Sequence, residues 1–426
     1  MLIKPIKRIK QSITVPGDKS ISHRAIMLSS IAEGEGKIYN FLMGDDCLNT
    51  IECFHEMQVP IEVTANKVKI KGVGLRGLKK PHGVLDVGNS GTTIRLMCGI
   101  LAGQNFDCEI TGDDSIRNRP MDRIITPLRQ MGSVIDGRKN HAPLKIQKSR
   151  LTAINYNMPV ASAQVKSAIL LASIYADGTT SILEIQKTRD HTERMLNYMG
   201  ASIKQEGLSV FSGPLDKLYA REIYVPGDIS SAAFFLVLGA IAKDAEIMIK
   251  DVGLNPTRTG IIDVLKQMNV DIKVSNKRVL NNEPIGDIHV AGSDLRGIEI
   301  GGDIIPRLID EIPIIAVAAT LAKGTTVIRD AEELKVKESN RIAAMVAELK
   351  KIGADIEETD DGMIIYGKDT LRGGTVNSHN DHRIAMALAI AGSLSREGVI
   401  IDNPHCVGIS FPDFFDILDR MIKNEN

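Results

Sequence analysis

The sequence predicts an α/β protein assembled from six copies of one unit, three in each of two domains. Three observations carry that expectation. A helix end that runs into an alternating strand recurs at Phe54–Glu62, Leu128–Asp136, Leu196–Lys204, Leu265–Lys273 and Leu349–Glu357. The spacing is roughly 70–85 residues, a clear internal repeat but too long for an ordinary solenoid. A second series keeps the same beat: a polar helix start followed by a small-residue apolar helix. Its members are Asp18-Lys-Ser-Ile-Ser, Asn89-Ser-Gly-Thr-Thr, Ser162-Ala-Gln-Val-Lys-Ser, Asp228-Ile-Ser-Ser-Ala, Asp310-Glu-Ile-Pro and Asn380-Asp-His-Arg. Finally, Val-Pro-Gly-Asp is written twice, at Val15–Asp18 and Val225–Asp228.

Each series has a physical reading. Gly132, Gly200, Asn269 and Gly353 follow their helices directly, as helix C-caps do. The methionines before them read as core contacts. Strands such as Lys67–Lys71, Phe106–Thr111, Thr179–Leu183, Ala245–Ile249 and Thr325–Ile328 fill the gaps between helices, and a helix over Phe414–Ile422 closes the last unit. The duplicated Pro-Gly suits a hinge, and the Asp after it suits a helix N-cap. The expected domains are therefore 17–226 and a discontinuous one, 1–16 with 227–426, with the active site in the cleft.

Composition narrows the function. The chain has 426 residues and is 43% hydrophobic, enough for two cores. Its 52 basic and 53 acidic residues leave a net charge of −1, so bulk charge points neither to nucleic acid nor to a membrane surface. The N-terminal MLIKPIKRIKQ lacks an apolar signal core, and no apolar run reaches membrane-span length. The five cysteines lack zinc-ligand spacing and read as ordinary thiols of a reducing cytoplasm. No metal is expected.

The polar helix starts carry the chemistry. A helix N-terminus offers unpaired N–H groups and partial positive charge, which together make an anion site. Capping alone explains one polar residue per start. It does not explain Lys19, Ser20 and Arg24 around one start, where Ser20 and Arg24 share a helix face at i,i+4. Further cations are Arg117, Arg119, Arg189, Lys337, Arg341 and Arg383, with Lys337 and Arg341 again i,i+4. Singly these are surface charges of little worth. Gathered by the repeat, they suit a substrate with several negative charges, since Arg binds carboxylate and phosphate bidentately. Acid–base candidates are Asp310, Glu311, Glu338, Asp381 and His382. Glu338 reads equally as a helix ion pair and Asp310 equally as an N-cap. Gly72-Val-Gly-Leu-Arg-Gly matches a dinucleotide fingerprint, but Pro81 and Gly83 break any helix after it, so it reads as a connecting loop. Gly34-Glu-Gly-Lys lacks P-loop spacing.

Taken together, Pro16-Gly-Asp-Lys-Ser-Ile-Ser-His-Arg, Gly88-Asn-Ser-Gly-Thr-Thr-Ile-Arg, Asp114-Ser-Ile-Arg-Asn-Arg-Pro, Ser162-Ala-Gln-Val-Lys-Ser, Thr188-Arg-Asp-His-Thr-Glu, Leu334-Lys-Val-Lys-Glu-Ser-Asn-Arg and Asn380-Asp-His-Arg-Ile-Ala-Met resemble the 5-enolpyruvylshikimate-3-phosphate synthase family, in family order over essentially the whole chain. The resemblance implies a two-domain inside-out α/β barrel, with six βαβαββ units, three per domain, helices inside and sheets outside. It implies transfer of enolpyruvyl from phosphoenolpyruvate to the 5-hydroxyl of shikimate 3-phosphate with release of phosphate, without metal or organic cofactor, in a cytoplasmic monomer. It implies that shikimate 3-phosphate is held by Lys19, Ser20, Arg24, Ser162, Ala163, Gln164, Arg189, Asp310 and Lys337. Phosphoenolpyruvate would be held by Lys19, Gly91, Arg119, Gln164, Arg341 and Arg383. Asp310 would take the hydroxyl proton, Glu338 would carry a proton to the methylene carbon with Lys19 as second candidate, and His382 would orient its neighbours.

The chain departs from the family pattern twice. Ile409 stands where many members have Lys, leaving one phosphoenolpyruvate contact missing or supplied elsewhere. Ala163 stands where many have Ser, so only its backbone N–H could serve. Two rivals differ in what they require. A UDP-N-acetylglucosamine enolpyruvyl transferase would carry a cysteine-bearing loop and lack Lys-Ser-x-Ser-x-Arg, whereas Cys108 lies in a strand-like stretch. A non-catalytic anion-binding relative would have lost Asp310 or Glu338, and both are present.

Overall fold

Each repeated segment ends its helix in the same way. Met57, Met131, Met199, Met268 and Ile352 close their helices. The next residue turns left-handed: Gln58 at φ 62°, Gly132 at 90°, Gly200 at 104°, Asn269 at 72° and Gly353 at 93°. Glycine and asparagine enter that region at low steric cost, and in the first unit Gln58 does so instead. The following residue then donates back to the helix, as Val59 N–H does to Phe54 and Ala201 N–H to Leu196. The chain emerges aimed at the next strand.

The computed structural model describes residues 1–6 and 8–423. Contacts divide the chain into two units. One runs over Gly17–Val225 with Leu280–Glu283. The other joins Met1–Pro16 and Pro226–Val279 to the chain from Pro284 onward. Both Val-Pro-Gly-Asp copies sit at these divisions. In each copy the Asp caps a helix: Asp18 accepts from Ile21 N–H at 2.9 Å and Asp228 from Ser230 N–H at 2.8 Å. The short segment Leu280–Glu283 makes a further crossing that the sequence did not announce. It is the tip of a hairpin, and its contacts are long-range: Asn281 Nδ2 donates to Tyr224 O at 2.7 Å, and Arg194 donates to Asn282 O at 2.8 Å.

Among the described residues the strands form six sheets, five of four strands and one of three. The wiring repeats. Leu85–Asp86 runs parallel to Cys108–Thr111, which pairs antiparallel with Leu144–Gln147, whose hairpin mate is Val134–Gly137. Asn155–Asn157, Thr180–Leu183, Ser209–Ser212 and Lys204–Glu206 follow the same order. So do Glu299–Ile300, Thr325–Ile328, Met363–Tyr366 and Asp355–Glu358. Strands next to the divisions complete sheets begun elsewhere in their own unit. Glu222–Tyr224 lies parallel to Glu33–Tyr39, and Lys10–Thr14 lies parallel to Glu246–Gly253. In the three-stranded sheet the N-terminal Leu2–Ile3 takes the antiparallel place against Gly398–Asp402.

Four of the five predicted strands differ in their bounds: Lys67–Lys71 extends to Val73, and Thr179–Leu183 begins at Thr180. Phe106 lies outside the strand, which begins at Cys108, and Ala245–Ile249 is replaced by Glu246–Gly253, extended past a register shift between Ile249 and Val252. Sheet faces alternate as a one-sided sheet must: Val68 and Ile70 are buried between exposed Lys67, Lys69 and Lys71.

The apolar helices are buried almost throughout. Ile312–Thr320 is buried along its length, Ile229–Ile241 at all but Ile241, and His382–Leu394 at all but Leu394. Helices Gly91–Ala102 and Ala163–Ser173 cross so closely that a Cβ on Gly99 would lie 2.2 Å from the carbonyl oxygen of Ala168. Backbone cannot yield there as a flexible side chain could. Gly99→Ala should therefore destabilise the protein by about 1–3 kcal/mol, despite alanine's better helix propensity. Gly83→Ala, with nothing within 4 Å of the new methyl, should leave the denaturation midpoint unchanged.

Candidate active site

A helix packed on all sides can present side chains only at its ends. In the Gly17–Val225 unit this singles out first-turn residues. Helix Lys19–Ser30 buries every residue except Lys19 and Ser20. Helix Gly91–Ala102 buries all but Thr92 and Arg95, and helix Ala163–Ser173 all but Ala163 and Gln164. Ser90 caps the second helix through Thr93 N–H at 3.2 Å, and Ser162 caps the third through Val165 N–H at 3.4 Å.

These ends are joined by polar contacts. Gln164 accepts a short hydrogen bond from Arg95 and donates to Thr92 Oγ1 at 3.1 Å. Lys19 pairs with Asp46 at 3.0 Å. Gly91 faces Arg119: a Cβ on the glycine would lie 2.8 Å from the guanidinium. Arg24 is 4% exposed, and its guanidinium is held by neutral groups. It donates to Thr192 Oγ1 at 2.7 Å, to Ser167 Oγ at 2.8 Å and to Ser20 O at 2.9 Å. Burial pulls its pKa down to about 10, with Glu193 and Asp18 opposing and Arg189 adding to the shift. His23, on the same turn, is driven well below its ordinary value by burial and by Lys19 and Arg24. It is neutral at pH 7 and bonds to Thr50 Oγ1 at 2.7 Å. Arg189 lies in the loop between strand Thr180–Leu183 and helix His191–Tyr198.

In the other unit the balance is reversed. Arg341, 1% exposed, is ringed by carboxylates. Its guanidinium donates to Asp381 at 2.8 Å, to Glu338 at 2.6 Å and to Asp310 at 3.3 Å. Burial alone would lower its pKa, but Asp381, Glu338 and Asp310 outweigh burial and raise it. Arg383 donates to the Asp310 carbonyl at 3.2 Å and lies 3.9 Å from the carboxylates of Asp310 and Glu311. Behind them Ser230 donates a short hydrogen bond to Glu311, and Arg258 donates to Ser230 Oγ at 2.7 Å.

Two local expectations change. Lys337 and Arg341 do not share a helix face: the helix begins at Arg341, with Asn340 as N-cap, and Lys337 lies before it. Lys337 pairs instead with Glu333 at 3.2 Å, and the cluster contacts described above are made by Arg341, Asp381, Glu338, Asp310, Arg383 and Glu311. Asp310 is not an N-cap either. It sits in the short turn Ile309–Glu311 that precedes helix Ile312–Thr320, which leaves its carboxylate for Arg341. His382 is buried at the start of its helix, and Ile409 ends the turn Pro404–Ile409. At the second Val-Pro-Gly-Asp the helix start, Ile229 and Ser230, is buried.

Sequence reasoning missed Asp46, Arg95 and Arg258. Each lies far along the chain from its partner, and no local spacing marks it.

Each unit carries its own charged cluster: Arg24 with polar helix first turns in one, and the carboxylate-ringed Arg341 in the other. The family described as EPSP synthase (3-phosphoshikimate 1-carboxyvinyltransferase) matches residues 3–418. A Bacillus cereus (strain G9842) protein named 3-phosphoshikimate 1-carboxyvinyltransferase is 56% identical over 424 residues, 99% of each chain. One of that name from Thermoanaerobacter sp. (strain X514) is 55% identical over 420 residues, 98% of this chain and 99% of that one. An EPSP synthase structure from Acinetobacter baumannii has a TM-score of 0.89 at 46% identity, covering 99% of this chain and 97% of that one. The chain belongs to the EPSP synthase family.

The buried ion pair sets a pH limit. Burial would raise the Asp381 pKa, but Arg341 and His382 hold it below the ordinary value. A depressed folded-state pKa contributes stability above the unfolded value, lost as pH falls through the folded one. That loss belongs below about pH 4. Asp381→Asn keeps shape and capping but removes the charge. It should lower stability at pH 7, toward the lower end of about 3–5 kcal/mol. The gap from the parent should narrow as melting curves are taken down to pH 3.

Proposed function

We propose that the protein transfers the enolpyruvyl group of phosphoenolpyruvate to the 5-hydroxyl of shikimate 3-phosphate, releasing phosphate, in the route to chorismate and the aromatic amino acids. Family membership over residues 3–418 carries this reading. The reading includes an inside-out arrangement of six βαβαββ units, three per domain, and a cytoplasmic monomer without cofactor. Its domains are 17–226 and 1–16 with 227–426.

In this reading Lys19, Ser20, Arg24, Ser162, Ala163, Gln164, Arg189, Asp310 and Lys337 hold shikimate 3-phosphate. Lys19, Gly91, Arg119, Gln164, Arg341 and Arg383 hold phosphoenolpyruvate. Protonation of the methylene carbon by Glu338, with Lys19 as second candidate, makes its neighbour electrophilic. The 5-hydroxyl oxygen attacks that carbon as its proton passes to Asp310. Loss of phosphate and return of one methyl proton to Glu338 restore the double bond, now as an enol ether of the acceptor. The Arg341 cluster suits this sequence. Asp310 and Glu338 bond to Arg341. A substrate carboxylate that takes over Arg341 releases both carboxylates toward the reacting atoms and makes each a better proton acceptor.

Transfer to a UDP-sugar is disfavoured because the relatives named above are 3-phosphoshikimate enzymes. Phosphate release with shikimate 3-phosphate, and none with UDP-N-acetylglucosamine, is the expected outcome. Asp310→Asn should lower turnover by roughly 10²–10⁴-fold while shikimate 3-phosphate binding stays within a few-fold. Near-normal turnover would remove Asp310 from the role of base. Gly91→Ala places a methyl against the end of Arg119, which must shift. Glyphosate competes with phosphoenolpyruvate in this family and is longer. Its inhibition constant should rise at least about tenfold, with a smaller rise in the phosphoenolpyruvate KM. Equal shifts would mean that the methyl does not discriminate.

A further inference from the structure

Lys166 lies in the apolar helix Ala163–Ser173, and its side chain has no exposure to solvent. Its Nζ lies 3.1 Å from Glu184 and 2.7 Å from Glu193, whose side chains are 0% and 6% exposed. Taking three charged groups out of water is costly, and packed apolar residues of the same volume are often as stable or more so. A core gains little from this arrangement, so its geometry is the informative part.

The two glutamates bracket one segment of chain. Glu184 follows strand Thr180–Leu183 directly, and Glu193 lies in the first turn of helix His191–Tyr198. Between them runs the loop that carries Arg189. One ammonium group thus ties both ends of that loop to the first turns of helix Ala163–Ser173, the helix that presents Gln164. Glu184 also grips the loop from within. Its Oε1 accepts the Thr188 N–H at 3.1 Å and a short hydrogen bond from the Thr188 hydroxyl. Thr188 is next to Arg189. One residue along from Lys166, Ser167 bonds to Thr192 at 2.8 Å and to Arg24, so the same helix turn also fixes the far side of the loop.

We propose that Lys166, Glu184 and Glu193 are positioning residues that hold the Arg189 loop in register with Arg24, and so set the affinity of this half-site for the phosphorylated acceptor. Neither Lys166 nor the glutamates touch the ligand. They act through Thr188 and the ends of the loop. A guanidinium displaced by about 1 Å loses bidentate contact with a phosphate, so loosening the loop weakens binding of that anion specifically. This rests on the reading of Arg189 as a shikimate 3-phosphate ligand, and the test separates the two.

Shikimate 3-phosphate is titrated calorimetrically into the protein without phosphoenolpyruvate, and the KM values of both substrates are then measured. Lys166→Met should weaken acceptor binding at least tenfold, with the phosphoenolpyruvate KM within about twofold. Thr188→Ala removes the hydroxyl grip without burying an unpaired charge. It should weaken acceptor binding several-fold with an unchanged melting temperature, and it decides the matter if the lysine variant does not fold. Normal acceptor binding in Thr188→Ala, or equal changes for both substrates, overturns the proposal. Arg189→Met is the control. If it binds the acceptor normally, the ligand assignment fails. If it binds poorly while the Thr188 and Lys166 variants bind normally, the positioning role fails.

Discussion

Helices closed in on every side are the constraint from which the rest of this structure follows. Ile229–Ile241, Ile312–Thr320 and His382–Leu394 leave almost nothing of their flanks exposed. Such a helix cannot offer a functional side chain from its middle without burying an unpaired polar group. What remains is the end, where N–H groups are unsatisfied and a small anion is welcome. Lys19, Ser20, Thr92, Arg95, Ala163 and Gln164 are the residues that the three helices of the Gly17–Val225 unit leave partly open. Repeating one unit multiplies such ends, so the repetition that builds the core also supplies the partly open polar groups.

The two clusters handle charge in opposite ways. Arg24 donates to hydroxyls and a carbonyl, with Glu193 and Asp18 as nearby negative charges. Burial lowers its pKa, against the opposing pull of Glu193 and Asp18. Arg341 carries three carboxylates on its guanidinium and holds its proton more firmly. An anion reaching it must displace carboxylates already in place. The energy of that exchange is a difference between two strong charge-assisted contacts rather than the whole of one. In the proposed reaction each displaced carboxylate would be left better able to take a proton, which would link anion capture to acid–base chemistry through one side chain.

Buried polar groups away from the helix ends serve as supports. Glu348 accepts from Lys351 at 2.7 Å, from His379 at 2.9 Å and from Asn377 N–H at 2.9 Å, and so steadies the turn before Asp381. Arg258 reaches Asp228 and Ser230 and backs Glu311. In each case a charged residue that adds little to stability fixes the direction of a loop one step from the functional cluster.

Local rules made part of this protein legible from its sequence alone. Gly or Asn after a repeated methionine marks a left-handed C-cap, because only a few residues enter that conformation cheaply. Ser90, Ser162, Asp18 and Asp228 mark helix starts for the same local reason. Motif order was enough to indicate the family. Tertiary structure decided what depends on long-range partners. Glu333 rather than a shared helix face engages Lys337, Asp310 turns to Arg341 rather than capping, and Lys166 in an apolar run finds two glutamates. A lysine inside an apolar helix signals that a partner is needed, but not which one. A charge is satisfied by whatever the fold brings within about 3 Å, and that neighbour can lie anywhere along the chain.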